Sequence, residues 1–239
     1  AITLFALGYV LINTLMNIYQ RQQVENYQHY RQIEALLSLQ TALKMRYALP
    51  PLRLWSISPD FGLLLAEQVR QQRPTHIVEL GSGASTLVLA YALEAVGSGR
   101  LISIEHNEEF VERTRRDLDR HGLAQWVTVV HAPLTDVTDD EATYRWYDIP
   151  DDMDLDGIDM LIVDGPPVEG QKMVRYPALP MLFEHLASAS REETTAEVVR
   201  ERTRRDPVVR EALERMWPVL TPAQLLNDLF GSPGLLRSA

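Results

Sequence analysis

Thr75-His76-Ile77-Val78-Glu79-Leu80-Gly81-Ser82-Gly83-Ala84-Ser85-Thr86 is the stretch whose reading decides the fold. Its first half is a short apolar run ending at glycines, the pattern of a strand buried on both faces. Its second half opens a helix over residues 85–96 that Gly97 closes. A strand, a glycine turn and a helix in that order bring backbone close to a ligand at the helix's amino end. The Gly-x-Gly turn alone does not choose the ligand, because dinucleotide-binding enzymes share it. Two details do. Glu79, two residues before the first glycine, suits an amine-bearing ligand better than a pyrophosphate. Where a dinucleotide fingerprint has its third glycine, this chain has Ser85 or Thr86.

Downstream, strands and helices keep alternating. Residues 101–105 read as a second strand. Asn107 caps a charged helix over 108–121 that ends at Gly122, and residues 126–130 and 158–163 read as third and fourth strands. This order predicts an α/β, Rossmann-like doubly wound parallel sheet with helices on both faces. Ligands of such sheets lie beyond the carboxyl ends of the strands. The candidate residues are therefore those that end each strand. Glu105 can accept hydroxyl hydrogens of a ribose, with His106 beside it. His131 and Ala132 are placed to flank an adenine ring, although His131 reads equally as a rim histidine. Asp164, stiffened by Pro166 and Pro167, is placed as a general base or an orienting group for an acceptor; its bland alternative is a turn cap.

Taken together, residues 76–83, Ile104-Glu105 and the run Ile162-Val163-Asp164-Gly165-Pro166-Pro167 resemble the class I S-adenosylmethionine-dependent methyltransferases. The closest likeness is to a bacterial branch similar to enzymes that methylate sugars and other hydroxyl acceptors. Trp55-Ser56-Ile57-Ser58-Pro59 and Arg175-Tyr176-Pro177-Ala178-Leu179-Pro180 also look like that branch's flanking segments. The resemblance implies S-adenosylmethionine as cofactor. It places Glu79, Gly81 and Gly83 on the methionine part, Glu105 on the ribose and Asp164 at the transfer site, with Ser82, Ser85, Thr86, His106, His131 and Ala132 completing the candidate lining. It implies a glycan or small-molecule hydroxyl as acceptor. A cofactor-binding protein without turnover and a nicotinamide-dependent oxidoreductase stay as rivals.

Outward from this domain (residues 50–187) the pattern changes. Residues 1–20 carry no charged side chain and are about long enough to span a membrane, with Asn13, Thr14 and Asn17 against that reading. The expectation is an anchor helix with Arg21 on its cytoplasmic flank, hence membrane association with a cytoplasmic catalytic domain. Residues 21–49 read as a helical stalk whose stripe (Val24, Tyr27, Ile33, Leu36, Leu37, Leu43, Tyr47) either dimerises or packs on its own domain. Before the first strand, Ser58-Pro59-Asp60 starts a helix over 61–72 with a capping hydroxyl. After residue 187 the tail, 188–239, reads as helices broken at Pro207, Pro218 and Pro222, with no further strand. The fourth strand would then be an open edge unless the tail or a second chain covers it.

Composition removes several function classes. A net charge of -10 argues against a general nucleic-acid binder. The absence of cysteine rules out thiolate chemistry and cysteine-held zinc. Asp152-Met153-Asp154-Leu155-Asp156-Gly157 opens like a calcium loop, but its twelfth position is Val163 inside a strand, so it reads as a solvated turn. The mixed charges of residues 191–206 read as an exposed helix face. No metal is expected.

Overall fold

The computed structural model describes residues 2–52, 56–138, 143–167, 174–175, 177–186 and 219–220, and of residues 2–7, 10, 179, 180, 219 and 220 the backbone alone. The sheet is built by β1 (His76–Leu80), β2 (Arg100–Glu105), β3 (Val127–His131) and β6 (Met160–Val163), all parallel, with β7 (Val219–Leu220) antiparallel on β6. The spatial order is β3-β2-β1-β6-β7. Order therefore reverses between β1 and β6, the kind of switch point beside which ligands of such sheets bind.

Period-two alternation sorts the strand side chains onto two faces. Ile77, Leu101, Val129, Met160 and Ile162 join one core with α2 (Pro59–Gln72), α3 (Ala84–Val96), α4 (Glu108–His121) and the end of α1 (Ile2–Leu43). Val78, Leu80, Ile102, Ile104, Val130 and Leu161 join a second core. There a helix is replaced by an antiparallel hairpin, β4 (Leu134–Thr138) and β5 (Thr143–Tyr147), beside the short α5 (Ala178–Leu182). The sequence analysis places no strand between residues 132 and 157. The alternation in Thr143-Tyr144-Arg145-Trp146 is the signal for one, since it exposes Thr143 and Arg145 and buries Tyr144 and Trp146.

Local chemistry sets the helix ends. The Asn107 side chain accepts from the Glu109 N–H, and Gly97 and Gly122 end α3 and α4 in the left-handed conformation. Ser58 stands at the first cap position of α2, but its hydroxyl donates to Asp60, and Asp60 takes the Phe61 N–H instead.

Three expectations change. The segments 1–20 and 21–49 are not two elements: α1 is one helix of 42 residues, about 63 Å long at the usual rise. Among the described residues no helix is long and apolar enough to cross a membrane, so the anchor finds no support there. The apolar run is interrupted by Asn13, Thr14, Asn17 and Gln20 and passes without a break into a polar helix. Of the expected stripe, Leu43 is buried against α2 and α3, with Ala35 and Leu39, whereas Val24, Tyr27, Ile33 and Leu37 are exposed. Arg46 then fastens the chain, donating to His121 O at 2.7 Å and pairing with Glu94 at 2.8 Å. Lastly, a strand does follow residue 187. Ile162 and Leu161 face Val219 and Leu220, and Ile158 bridges to Leu186, so the β6 edge is partly paired. The helices expected elsewhere in 188–239, and the charged run 191–206, lie outside the described residues.

Candidate functional site

The turn after β1 needs its glycines. Gly81 has φ +102° and Gly83 φ +147°, and at Gly83 nothing lies within 4 Å of where a Cβ would stand. That open space above the turn is a cradle a ligand can enter. Gly81 packs against the β6 tip, 3.5 Å from the Asp164 carbonyl carbon by the same measure, so the two loops meet at the switch point.

Glu79 does not face this crevice. It is fully buried beneath the turn, where Thr86 Oγ1 accepts from the Gly83 N–H at 2.9 Å and donates to Glu79 Oε2 at 2.6 Å. Ser103, its register partner on β2, lies 3.0 Å from the same oxygen and 2.9 Å from Gly81 O. Glu79 thus pins the turn through Thr86. Burial pushes its carboxyl up to about 7, against hydrogen bonds from Ser85, Thr86 and Ser103, and Oε1 has no partner. Ser103 escaped the sequence reading, although a hydroxyl inside the apolar run Leu101-Ile102-Ser103-Ile104 is a visible signal. Ser85 and Ala132 are also buried rather than lining open space.

At the β2 tip Glu105 is organised differently. Its Oε2 accepts the Ser82 N–H at 2.9 Å; its Oε1 accepts the Asn107 N–H at 2.9 Å and meets His106 Nδ1 at 2.8 Å. Burial alone would raise its pKa, but the contacts from His106, Asn107 and Ser82 outweigh it and leave the carboxyl below its ordinary value. Each oxygen has two lone pairs, so Oε2 keeps one for a ligand hydroxyl. Ser82 Oγ is 3.1 Å from Thr114 Oγ1, which steadies the turn above. His131 is exposed at the β3 tip with Nε2 3.1 Å from His106 O, so it stands on the rim beside the β2 tip.

At the β6 tip Asp164 has few partners. Arg175 Nη2 lies 3.6 Å from its Oδ1 and donates to its main-chain O at 3.1 Å. Burial, countered by Arg175 and reinforced by Glu105, lifts its carboxyl to about 6. The sequence reading quoted Arg175 without giving it a role. Tyr144, Trp146 and Tyr147 offer rings that could stack on a sugar or cover the core, and all three are buried. Trp55 and Tyr176 lie outside the described residues.

Within the former calcium-like run, Asp154 pairs with Arg100 at 2.6 Å and Asp156 meets His185 at 2.8 Å. Among the described residues no group of three His, Asp or Glu is placed to hold a metal.

Residues 78–190 match the family described as "Methyltransferase domain". None of the curated proteins matches the chain. Among solved structures, a putative O-methyltransferase from Klebsiella pneumoniae is 27% identical over 43% of each chain, with a TM-score of 0.30. An O-methyltransferase from Bacillus cereus, solved with S-adenosylhomocysteine, is 28% identical over 42% of this chain and 43% of its own, at 0.29. One from Streptomyces achromogenes, involved in tomaymycin synthesis and solved with S-adenosylmethionine, is 24% identical over 64% and 60%, at 0.39. The chain thus spans less than half the length of the first two.

Proposed function

We propose, from the premise that residues 78–190 are a class I S-adenosylmethionine-dependent methyltransferase domain, that the chain moves a methyl group to a hydroxyl of a glycan or small metabolite. The observation that carries this reading is the pair of carboxylates at the tips of the two strands that flank β1: Glu105 kept as an anion with a lone pair to spare, Asp164 poised near pH 6. The open space above Gly83 fits a ligand that approaches the backbone of the turn.

The cofactor, when bound, supplies the methyl on a positively charged sulfur that leaves as a neutral thioether. The protein's residues do the rest. The Gly81–Gly83 turn and Glu105 hold the adenosyl end, which fixes the reacting carbon relative to the β6 tip; such positioning accounts for much of the rate gain in displacement chemistry. Asp164 is ionised above about pH 6. In that form it accepts the proton of the acceptor hydroxyl as the new O–C bond forms, and a base matched to the working pH does this best. Arg175 holds the Asp164 loop and steadies the anion.

Calorimetry with S-adenosylhomocysteine and with a nicotinamide dinucleotide tests the premise. The expected result is binding of the first alone; binding of only the second would move the chain to the oxidoreductases. Transfer of a labelled methyl from S-adenosylmethionine to hydroxyl-bearing sugars and metabolites then tests turnover. A second reading is cofactor binding without turnover. Binding with no transfer to any acceptor would select it.

A further inference from the structure

Tyr91 and Tyr147 are the most deeply buried of the described tyrosines, and they are treated differently. Tyr91, 1% exposed, has its hydroxyl 2.8 Å from His121 Nδ1 and accepts the Arg46 N–H at 3.0 Å. Tyr147, 3% exposed, has a hydroxyl with no hydrogen-bond partner. A buried hydroxyl without a partner has lost its water bonds for nothing, and a phenylalanine would pack as well.

The surroundings of that hydroxyl are specific. Tyr147 ends β5, where it is paired in register with Leu134, and the next residue donates from Asp148 N to Pro133 O at 2.8 Å. The ring is held edge-on by Trp146, 5.2 Å away, and by His106, 6.4 Å away at the β2 tip. Its hydroxyl lies directly over Gly165, filling the space where any side chain at that position would go. Glu105, Asp164 and Glu79 surround it with negative charge, and Arg175 alone opposes them. The phenol therefore stands between the β2 and β6 tips, above the loop that Gly81 touches.

We propose that Tyr147 is a binding residue of the cofactor site: its hydroxyl takes its missing hydrogen bond from S-adenosylmethionine bound across the strand tips. The hairpin that replaces a helix on this face then has a function. It carries a rigid polar contact over the β6 loop, and Gly165 is glycine to leave that contact room. The three carboxylates around the hydroxyl favour the cofactor over a neutral acceptor, because the cofactor carries positive charge. The hydroxyl stays protonated among carboxylates, so it is available as a donor to the cofactor's oxygens and as an acceptor from its hydroxyls or ammonium group.

This inference rests on the proposed function, and the test separates the two. Calorimetric titration of the parent and of Tyr147→Phe with S-adenosylhomocysteine is combined with thermal melting of both proteins without ligand. The expected result is about a tenfold weaker affinity in Tyr147→Phe, with a ligand-free melting temperature equal to or above the parent's. Equal affinity in the two proteins would overturn the inference and leave the proposed function standing. A variant that melts well below the parent, or fails to fold, would show that the hydroxyl is satisfied within the protein and would overturn it too. A parent that binds no S-adenosylhomocysteine would sink both.

Discussion

The tips of β2 and β6, on either side of β1, each end in a carboxylate, and the fold treats them in opposite ways. Glu105 is well supplied: two backbone N–H groups and a histidine nitrogen hold it, and its carboxyl sits below the ordinary value although it is buried. Asp164 is starved: one guanidinium at 3.6 Å is its partner, and burial lifts it to about 6. The difference teaches that hydrogen-bond supply, more than burial itself, decides whether a carboxylate is a permanent charge or a titrating group. A permanent charge suits holding a ligand. A titrating one suits moving a proton.

Asp164→Asn cuts that comparison at its reactive side and carries the largest expected effect. Turnover on a hydroxyl acceptor should fall about 10²–10⁴-fold, while the calorimetric affinity for S-adenosylhomocysteine stays within about twofold of the parent. Unchanged turnover would remove Asp164 from proton transfer. Glu105→Gln cuts the other side: a charge-assisted contact is lost, and cofactor affinity should drop about 10–100-fold, or roughly 1.5–3 kcal/mol. If the affinity held while turnover collapsed, the two roles would have to be exchanged.

A smaller effect is expected from Gly165→Ala, which pushes a methyl group into the space of the Tyr147 hydroxyl. Overpacking of this kind costs about 1–3 kcal/mol, to be read from chemical denaturation. A neutral result would mean that the β5 tip yields more easily than a packed core. Smallest is a pH effect. Asp164 near 6 and Glu79 near 7 lose protons as the pH rises, so negative charge grows in and under the crevice. Affinity for the cationic S-adenosylmethionine should therefore rise severalfold between about pH 5 and pH 8. Affinity for neutral-sulfur S-adenosylhomocysteine should rise less, and parallel titrations would show whether the ratio moves.

Much of this was legible in one dimension because the signals are local. A buried parallel strand writes itself as an apolar run, a turn at positive φ demands glycine, and Asn107 and Gly122 mark helix ends by chemistry that acts within four residues. The strand tips named Glu105 and Asp164 as the residues to inspect. Glu79 was named as well, and it lies fully buried beneath the turn. Alternation in β1 says only that neighbouring side chains face opposite sides of the sheet. It cannot say that Thr86 and Ser103 close over the carboxylate from above and beside it. The β4–β5 hairpin was missed because its turn carries no Asn-Gly or Asp-Gly signal, and an acidic stretch around residue 140 hides the two strands.

The sequence by itself determined the alternation of strand and helix, the glycine turn, and a carboxylate at each of two strand ends, because each depends on residues adjacent in the chain. Only the tertiary structure decided which carboxylate is held as an anion and which is left to titrate, and that a tyrosine from an inserted hairpin stands between them. Those outcomes depend on donors and rings contributed by distant segments, and desolvation by packed neighbours has no signature along the chain.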